Sequence, residues 1–217
     1  MAEAARERGL DYIAITDHSA THGFGNDVSP KELERQIERV AEANEKVDVV
    51  VLAGTETNVL PDGTLDYEDD LLERLDWIVA SLHTSFRMSE AEMTERMITA
   101  MEHPLVDAIG HPTGRLIGRR EPYALDLDAV LDAAARTGTF LEINANPNRR
   151  DLPDTYARAA AAKGAKLVID SDAHGADTLD KLRFGVATAR RAWLTKDDVA
   201  NARPWPKLDK LRKRARG

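Results

Sequence analysis

The chain contains no cysteine in its 217 residues. Disulfides and thiolate metal sites are therefore excluded, and a reducing cytoplasm is the expected setting. No apolar run approaches the roughly 20 residues of a membrane span. The opening segment Met1-Ala2-Glu3-Ala4-Ala5-Arg6-Glu7-Arg8 is charged and lacks a signal-peptide apolar stretch. Internal repeats and low-complexity linkers are also missing. The net charge of -8, from 30 basic and 38 acidic side chains, argues against a general nucleic-acid coat protein. It leaves room for a nucleic-acid enzyme, because bound divalent ions bring positive charge to the point of need.

What is present is a regular alternation of apolar β-type runs and helical segments, in a length suited to one α/β domain. Strands are expected at Tyr12–Thr16, Asp48–Gly54, Asp76–Ala80, Val106–Ile109, Thr139–Ile143 and Lys166–Ile169. Ser29-Pro30-Lys31-Glu32 reads as a capping box with proline at the first helical position, opening a helix toward Lys46. Ser89 with Glu92 opens another that runs to Glu102, Asp126 one to Thr137, and Asp154 one to Lys163. Pro61-Asp62-Gly63 marks a turn before a short helix near Tyr67–Arg74. The loop from Thr113 to Leu125 is long enough to suggest function. We read one domain over residues 1–206 and a basic tail over 207–217, its residues Lys207–Arg216 carrying six basic side chains and one acidic, solvated or touching nucleic acid.

Such alternation implies parallel strands with crossover helices, whose C-terminal ends share one face. Five of the apolar runs end in polar clusters: Asp17-His18, Glu56, His83, His111, and Asp172 with His174. A lone histidine at a strand end is more often a hydrogen-bonded structural residue. Five in register point instead to a transition-metal site of imidazoles and carboxylates. Ligands drawn from so many strands favour a closed or nearly closed barrel over an open sheet.

These clusters carry a resemblance. Ile15-Thr16-Asp17-His18-Ser19, Gly54-Thr55-Glu56, Ser81-Leu82-His83, Gly110-His111-Pro112 and Ser171-Asp172-Ala173-His174 resemble the ordered motifs of the PHP (polymerase and histidinol phosphatase) superfamily. The longer segments 60–67, 85–89, 111–115, 141–147 and 184–195 are similar to the C-terminal PHP module of bacterial family X DNA polymerases. The likeness reaches to about Pro206. It implies a distorted seven-stranded β/α (TIM-like) barrel with a trinuclear metal site. The family's first strand carries a His-x-His pair and a further loop histidine, which have no counterpart here. The expectation is a barrel lacking its first βα unit, open beside Tyr12–Thr16, and a polymerase domain upstream in a longer polypeptide.

By the same resemblance, Glu56, His83 and His111 would hold one ion with a full ligand set. Glu56 and Asp172 would contribute to a second, and His18 and His174 to a third. Mn²⁺ is the expected metal, with Zn²⁺ as the alternative. The implied chemistry is phosphoester hydrolysis at DNA 3′ ends, of the 3′–5′ exonuclease type. Arg115, four residues after His111, would grip a substrate phosphate with two prongs, with Arg119 and Arg120 as weaker candidates. Asn144 and Asn146 would orient ligands or substrate, and Asp17 would support a ligand from behind. Arg149 and Arg150 read as surface residues, His22 as loop polarity able to approach the site, and His103 as a helix-end residue. Two other functions stand beside the nuclease: a histidinol-phosphatase-like enzyme for small molecules, and a metal-poor scaffold for a polymerase.

Overall fold

The computed structural model describes residues 1–21, 23 and 27–215. Helix α1 (Ala2–Glu7) leads into β1 (Tyr12–His18), α2 (Pro30–Asn44), β2 (Val50–Asn58), α3 (Asp69–Leu72) and β3 (Trp77–Ser81). The alternation continues through α4 (Glu90–Glu102), β4 (Ala108–Ile109), α5 (Leu127–Thr137), β5 (Phe140–Asn144), α6 (Asp154–Ala162) and β6 (Leu167–Asp170). A 3₁₀ turn (Ala176–Lys181), α7 (Leu182–Arg191), α8 (Trp205–Asp209) and a final 3₁₀ turn (Lys213–Ala215) complete it. All six strands are parallel and stand in sequential order. Residues of both edge strands line one cavity of 1210 Å³, so the sheet curls into a half-barrel around it. The sequence reading expects a seven-stranded barrel short of its first unit; the described residues form this six-stranded half-barrel, with no ladder joining β6 to β1. No helix among them is long and apolar enough to cross a membrane.

Local chemistry accounts for the helix starts. Ser29 accepts from the Glu32 amide while the Glu32 carboxylate accepts from the Ser29 amide, and Pro30 fills a first-turn position. Ser89 and Glu92 repeat the arrangement at α4, whose buried face carries Met93, Met97, Ala100 and Met101. Asp126 caps α5 as expected, but Asp154 does not cap α6; it lies in the first turn, behind Pro153, where its charge meets the helix dipole. His103 ends α4 with its Nε2 3.0 Å from Asp69 Oδ1.

The described part of the basic tail, up to Ala215, packs against the sheet. Alternate residues of the strands, Tyr12, Ala14, Trp77, Val79, Ala108, Phe140 and Val168, point into the barrel and form a second apolar cluster with Ala200, Trp205, Leu208 and Leu211. Trp77 stacks on Phe140 with ring centroids 5.9 Å apart, and Trp205 meets Trp77 edge-on. The C-terminal segment thus closes the floor of the half-barrel. Asp107, 2% exposed, anchors it: its carboxylate accepts from the Ile78 amide at 2.9 Å and from Arg214 at 2.8 Å, with Arg212 at 3.6 Å. Burial pushes the Asp107 carboxyl up, against the pull of Arg214 and Arg212. Composition alone reads six neighbouring charges as solvated; Arg212, Lys213 and Arg214 instead turn inward onto a buried carboxylate and backbone carbonyls, while Lys207 and Lys210 stay exposed.

Lys213 illustrates the cost. Its ammonium donates to the carbonyls of Met101 and His103 at 2.8 and 2.7 Å, and burial pushes its pKa down to about 8. A lysine with a depressed folded pKa disfavours folding while it must stay charged. That penalty is complete below about pH 8 and fades as pH rises toward the unfolded value near 10.4. Relative to Lys213→Met, the native chain should therefore gain roughly 1–2 kcal/mol of stability between about pH 8 and pH 10. Urea melts of both proteins at several pH values check this; parallel pH profiles would refute it.

Candidate metal centre

The strand register brings the polar clusters together. His18, the last residue of β1, lies directly beside Glu56 of β2, so both side chains leave the same face of the sheet. Glu56 lies in turn beside Val79 of β3, four residues before His83. The Glu56 carboxylate is the point of convergence. His111 Nε2 lies 2.9 Å and His83 Nε2 3.2 Å from Oε1, and His18 Nε2 lies 3.4 Å from Oε2. Ligand atoms of His18, Glu56 and His83 all fall within 4.8 Å of one another. His174 is more peripheral: its side chain is 71% exposed, with its ring 5.8 Å from that of His18.

Electrostatics at this mouth are one-sided. Burial raises the Glu56 pKa, but hydrogen bonds from His111 and His83 outweigh it and hold the carboxyl well below its usual range. Burial also lowers the His83 imidazolium, more than Glu56 restores it, so the neutral ring with an available lone pair is favoured. Glu142 and Asp170 crowd the same cavity. Burial, then Asp170, Asp172 and Glu56, push Glu142 well above the usual carboxylate range. Burial, then Asp172 and Glu56, push Asp170 to about 7. His111 Nδ1 is buried and has no hydrogen-bond partner among the described residues. Clustered carboxylates, neutral imidazole and an orphaned buried nitrogen together fit a bound cation.

Glu142 and Asp170 escaped the sequence reading, though a signal existed. Each is a carboxylate inside or closing an apolar strand run, where burial without a basic partner is costly unless a cation is at hand. The backbone marks the same region. His111 and Asp172 have φ of 30° and 50°, and Ser85 and Arg150 of 57° and 44°. Left-handed non-glycine residues at four strand-end loops are strain of the kind that functional sites retain.

Supporting contacts hold these loops. Asp66 accepts from Ser19 Oγ (2.7 Å), Thr21 Oγ1 (2.7 Å), Thr57 Oγ1 (2.8 Å) and the Asn58 amide (3.1 Å), tying the residues that follow His18 and Glu56. Asn58 Oδ1 then accepts from the His83 amide at 3.2 Å. Asp17 does not share this work: period-two alternation turns it to the opposite face from His18, where it is exposed. Asn144, 1% exposed, donates to Asp172 at 3.2 Å and to Glu142 at 3.3 Å, orienting carboxylates. His22 lies outside the described residues.

The arginines are distributed differently from the expectation. Arg115 does not present a free fork; its Nε and Nη2 donate to the carbonyls of Arg149 and Arg150, clamping that loop. Arg149, read from sequence as a surface residue, lines the cavity. Its Nε stands 3.5 Å from Asp172, and its Nη1 is buried without a hydrogen-bond partner among the described residues. Arg119 is exposed on the neighbouring loop. Gly114 permits that loop its course: its φ is +63°, and a Cβ there would overlap the Tyr123 ring.

Sequential parallel β/α units with imidazoles and carboxylates at the strand C-termini define a β/α half-barrel protein with a candidate metal centre. The chain is 41% identical over 215 residues to the DNA polymerase/3′-5′ exonuclease PolX of Bacillus subtilis, matching 99% of this chain and 38% of that protein's length. It is 31% identical over 218 residues to a probable phosphatase of Thermoanaerobacter sp., covering 92% of this chain and 81% of the relative. No protein-family model matches it. Among solved structures, histidinol phosphate phosphatase from Lactococcus lactis, complexed with zinc, L-histidinol and phosphate, superposes with a TM-score of 0.56 at 17% identity, covering 86% of this chain and 85% of that one. The chain belongs to the PHP superfamily.

Proposed function

We propose that the chain is a metal-dependent phosphoester hydrolase acting on DNA 3′ ends. The observation that carries this reading is the convergence of three imidazole nitrogens within 3.4 Å of one buried carboxylate. His18, Glu56, His83 and His111 would hold divalent metal, with Asp172 and His174 at the outer edge; Mn²⁺ or Zn²⁺ suits this donor set. Metal bound there supplies Lewis acidity, lowering the pKa of water and polarising a phosphoryl group. The protein's own part is positioning. Glu56 stays anionic and His83 neutral, which keeps both competent as ligands. Asn144 orients Asp172, Arg115 fixes the loop that bears Arg149, and Arg149 faces the cavity where a phosphate would lie. DNA ends are favoured by the 41% identity to PolX, although the chain spans only 38% of that protein.

A second reading is a phosphatase for small molecules. It is favoured by the 81% coverage of the probable phosphatase, whose length this chain nearly matches. Protein stripped with chelator and reloaded with Mn²⁺ or Zn²⁺ should shorten a labelled oligonucleotide with a 3′ tail faster than it releases phosphate from histidinol phosphate. The opposite preference would select the second reading. Hydrolysis of both at full rate without metal would sink the metal-dependent mechanism.

A further inference from the structure

The rim beside His83 and His111 carries side chains that hydrolysis alone leaves unused. Phe86 stacks on Tyr123 with ring centroids 5.4 Å apart and planes 14° from parallel. The Arg120 guanidinium lies 4.4 Å from the Phe86 centroid and 5.8 Å from that of Tyr123. Arg120 belongs to a small hairpin in which Leu116 and Arg120 pair. The Ile117 amide ties it to the Asn148 carbonyl at 2.7 Å, and Arg120 Nε donates to the Gly114 carbonyl at 2.8 Å. At its tip Ile117 is 53% exposed. Phe86, Leu116 and Arg120 line the same cavity as Glu56, His83 and His111.

We propose that this hairpin is a nucleobase subsite, where the base of a nucleotide phosphoester stacks against Arg120 and the Leu116–Ile117 surface while its phosphate lies at the metal centre. The inference rests on the hydrolytic reading and assigns the residues that would hold the base of its substrate. A guanidinium already held over an aromatic ring is a planar cation suited to stacking with the π-face of any base. The hairpin's hydrogen bonds fix it before a ligand arrives, so little ordering entropy opposes binding. Ile117 supplies apolar contact of the kind that tolerates every base. Exposed Arg119, on the same tip, stands within a chain of net charge -8, so the cationic rim is local rather than a general property of the surface. A phosphoester without a base would leave all of this unengaged.

The test uses two phosphodiesters with the same leaving group: thymidine 5′-(p-nitrophenyl phosphate) and methyl p-nitrophenyl phosphate. The native protein should prefer the nucleoside ester, and the ratio of the two kcat/KM values should fall by about tenfold in Ile117→Ser and in Arg120→Lys, which keeps charge but loses the plane. An unchanged ratio in both variants overturns the subsite while leaving the hydrolytic reading intact. Binding of a fluorescein-labelled oligothymidylate, followed by anisotropy, separates the two ideas further. If neither ester is cleaved but affinity falls in both variants, the subsite stands and the hydrolytic reading fails. If neither ester is cleaved and affinity is the same in all three proteins, the subsite is refuted.

Discussion

Glu56→Gln should lose bound divalent metal and phosphoesterase activity together, with kcat/KM reduced by at least about a thousandfold, since metal stabilisation of a phosphoryl transition state amounts to several kcal/mol. The substitution keeps the side chain's shape but removes the charge on which His18, His83 and His111 converge. It should leave the metal-free fold nearly as stable as before, because an amide oxygen can still accept hydrogen bonds from the imidazoles. Metal content by elemental analysis, steady-state kinetics and thermal melting on the same preparation distinguish loss of the site from loss of the fold. Native metal content in an inactive variant would mean that Glu56 serves chemistry without holding metal. Native activity would sink the site altogether.

The second large effect is on stability and lies at the opposite end of the barrel. Asp107→Ala leaves Arg212 and Arg214 against the floor with their shared carboxylate gone and the Ile78 amide without its acceptor. Removing one member of a buried ion pair costs about 3–5 kcal/mol. In a chain of this size that corresponds to a fall in Tm of roughly 6–20 °C. Arg214→Ala should cost less, because Arg212 remains within reach of the carboxylate. A shift of less than a degree for Asp107→Ala would show that the floor contributes little to holding the sheet.

Much of this architecture was legible in the sequence because it is written locally. Capping boxes at Ser29 and Ser89 involve residues three apart, and the strands reveal themselves as apolar runs. The convergence of His18, Glu56, His83 and His111 followed from a topological rule that places strand C-termini on one face. Illegible features depend on distant partners. Arg115 looked free because its acceptors, the carbonyls of Arg149 and Arg150, are ordinary backbone groups with no sequence signature. Asp17 looked like a neighbour of the site because it adjoins His18 in the chain, yet adjacency along a strand means opposite faces. Glu142 and Asp170 were hidden by the apolar runs they sit in; burial, and then the neighbouring carboxylates that only the fold brings close, raise their pKa values.

The floor also bears on the order in which the molecule can be assembled. Arg214 reaches back 107 residues to Asp107 and 139 to the Leu75 carbonyl. Each such closure must meet its loop entropy before any contact compensates, so we expect these to be the slow steps of a fold whose strand pairings are otherwise between neighbours. On a ribosome, all six strands are synthesised before Trp205 and Leu208 are made. Until then Trp77 and Phe140 line an open-bottomed sheet, and it is this nascent half-barrel that a chaperone would have to shield.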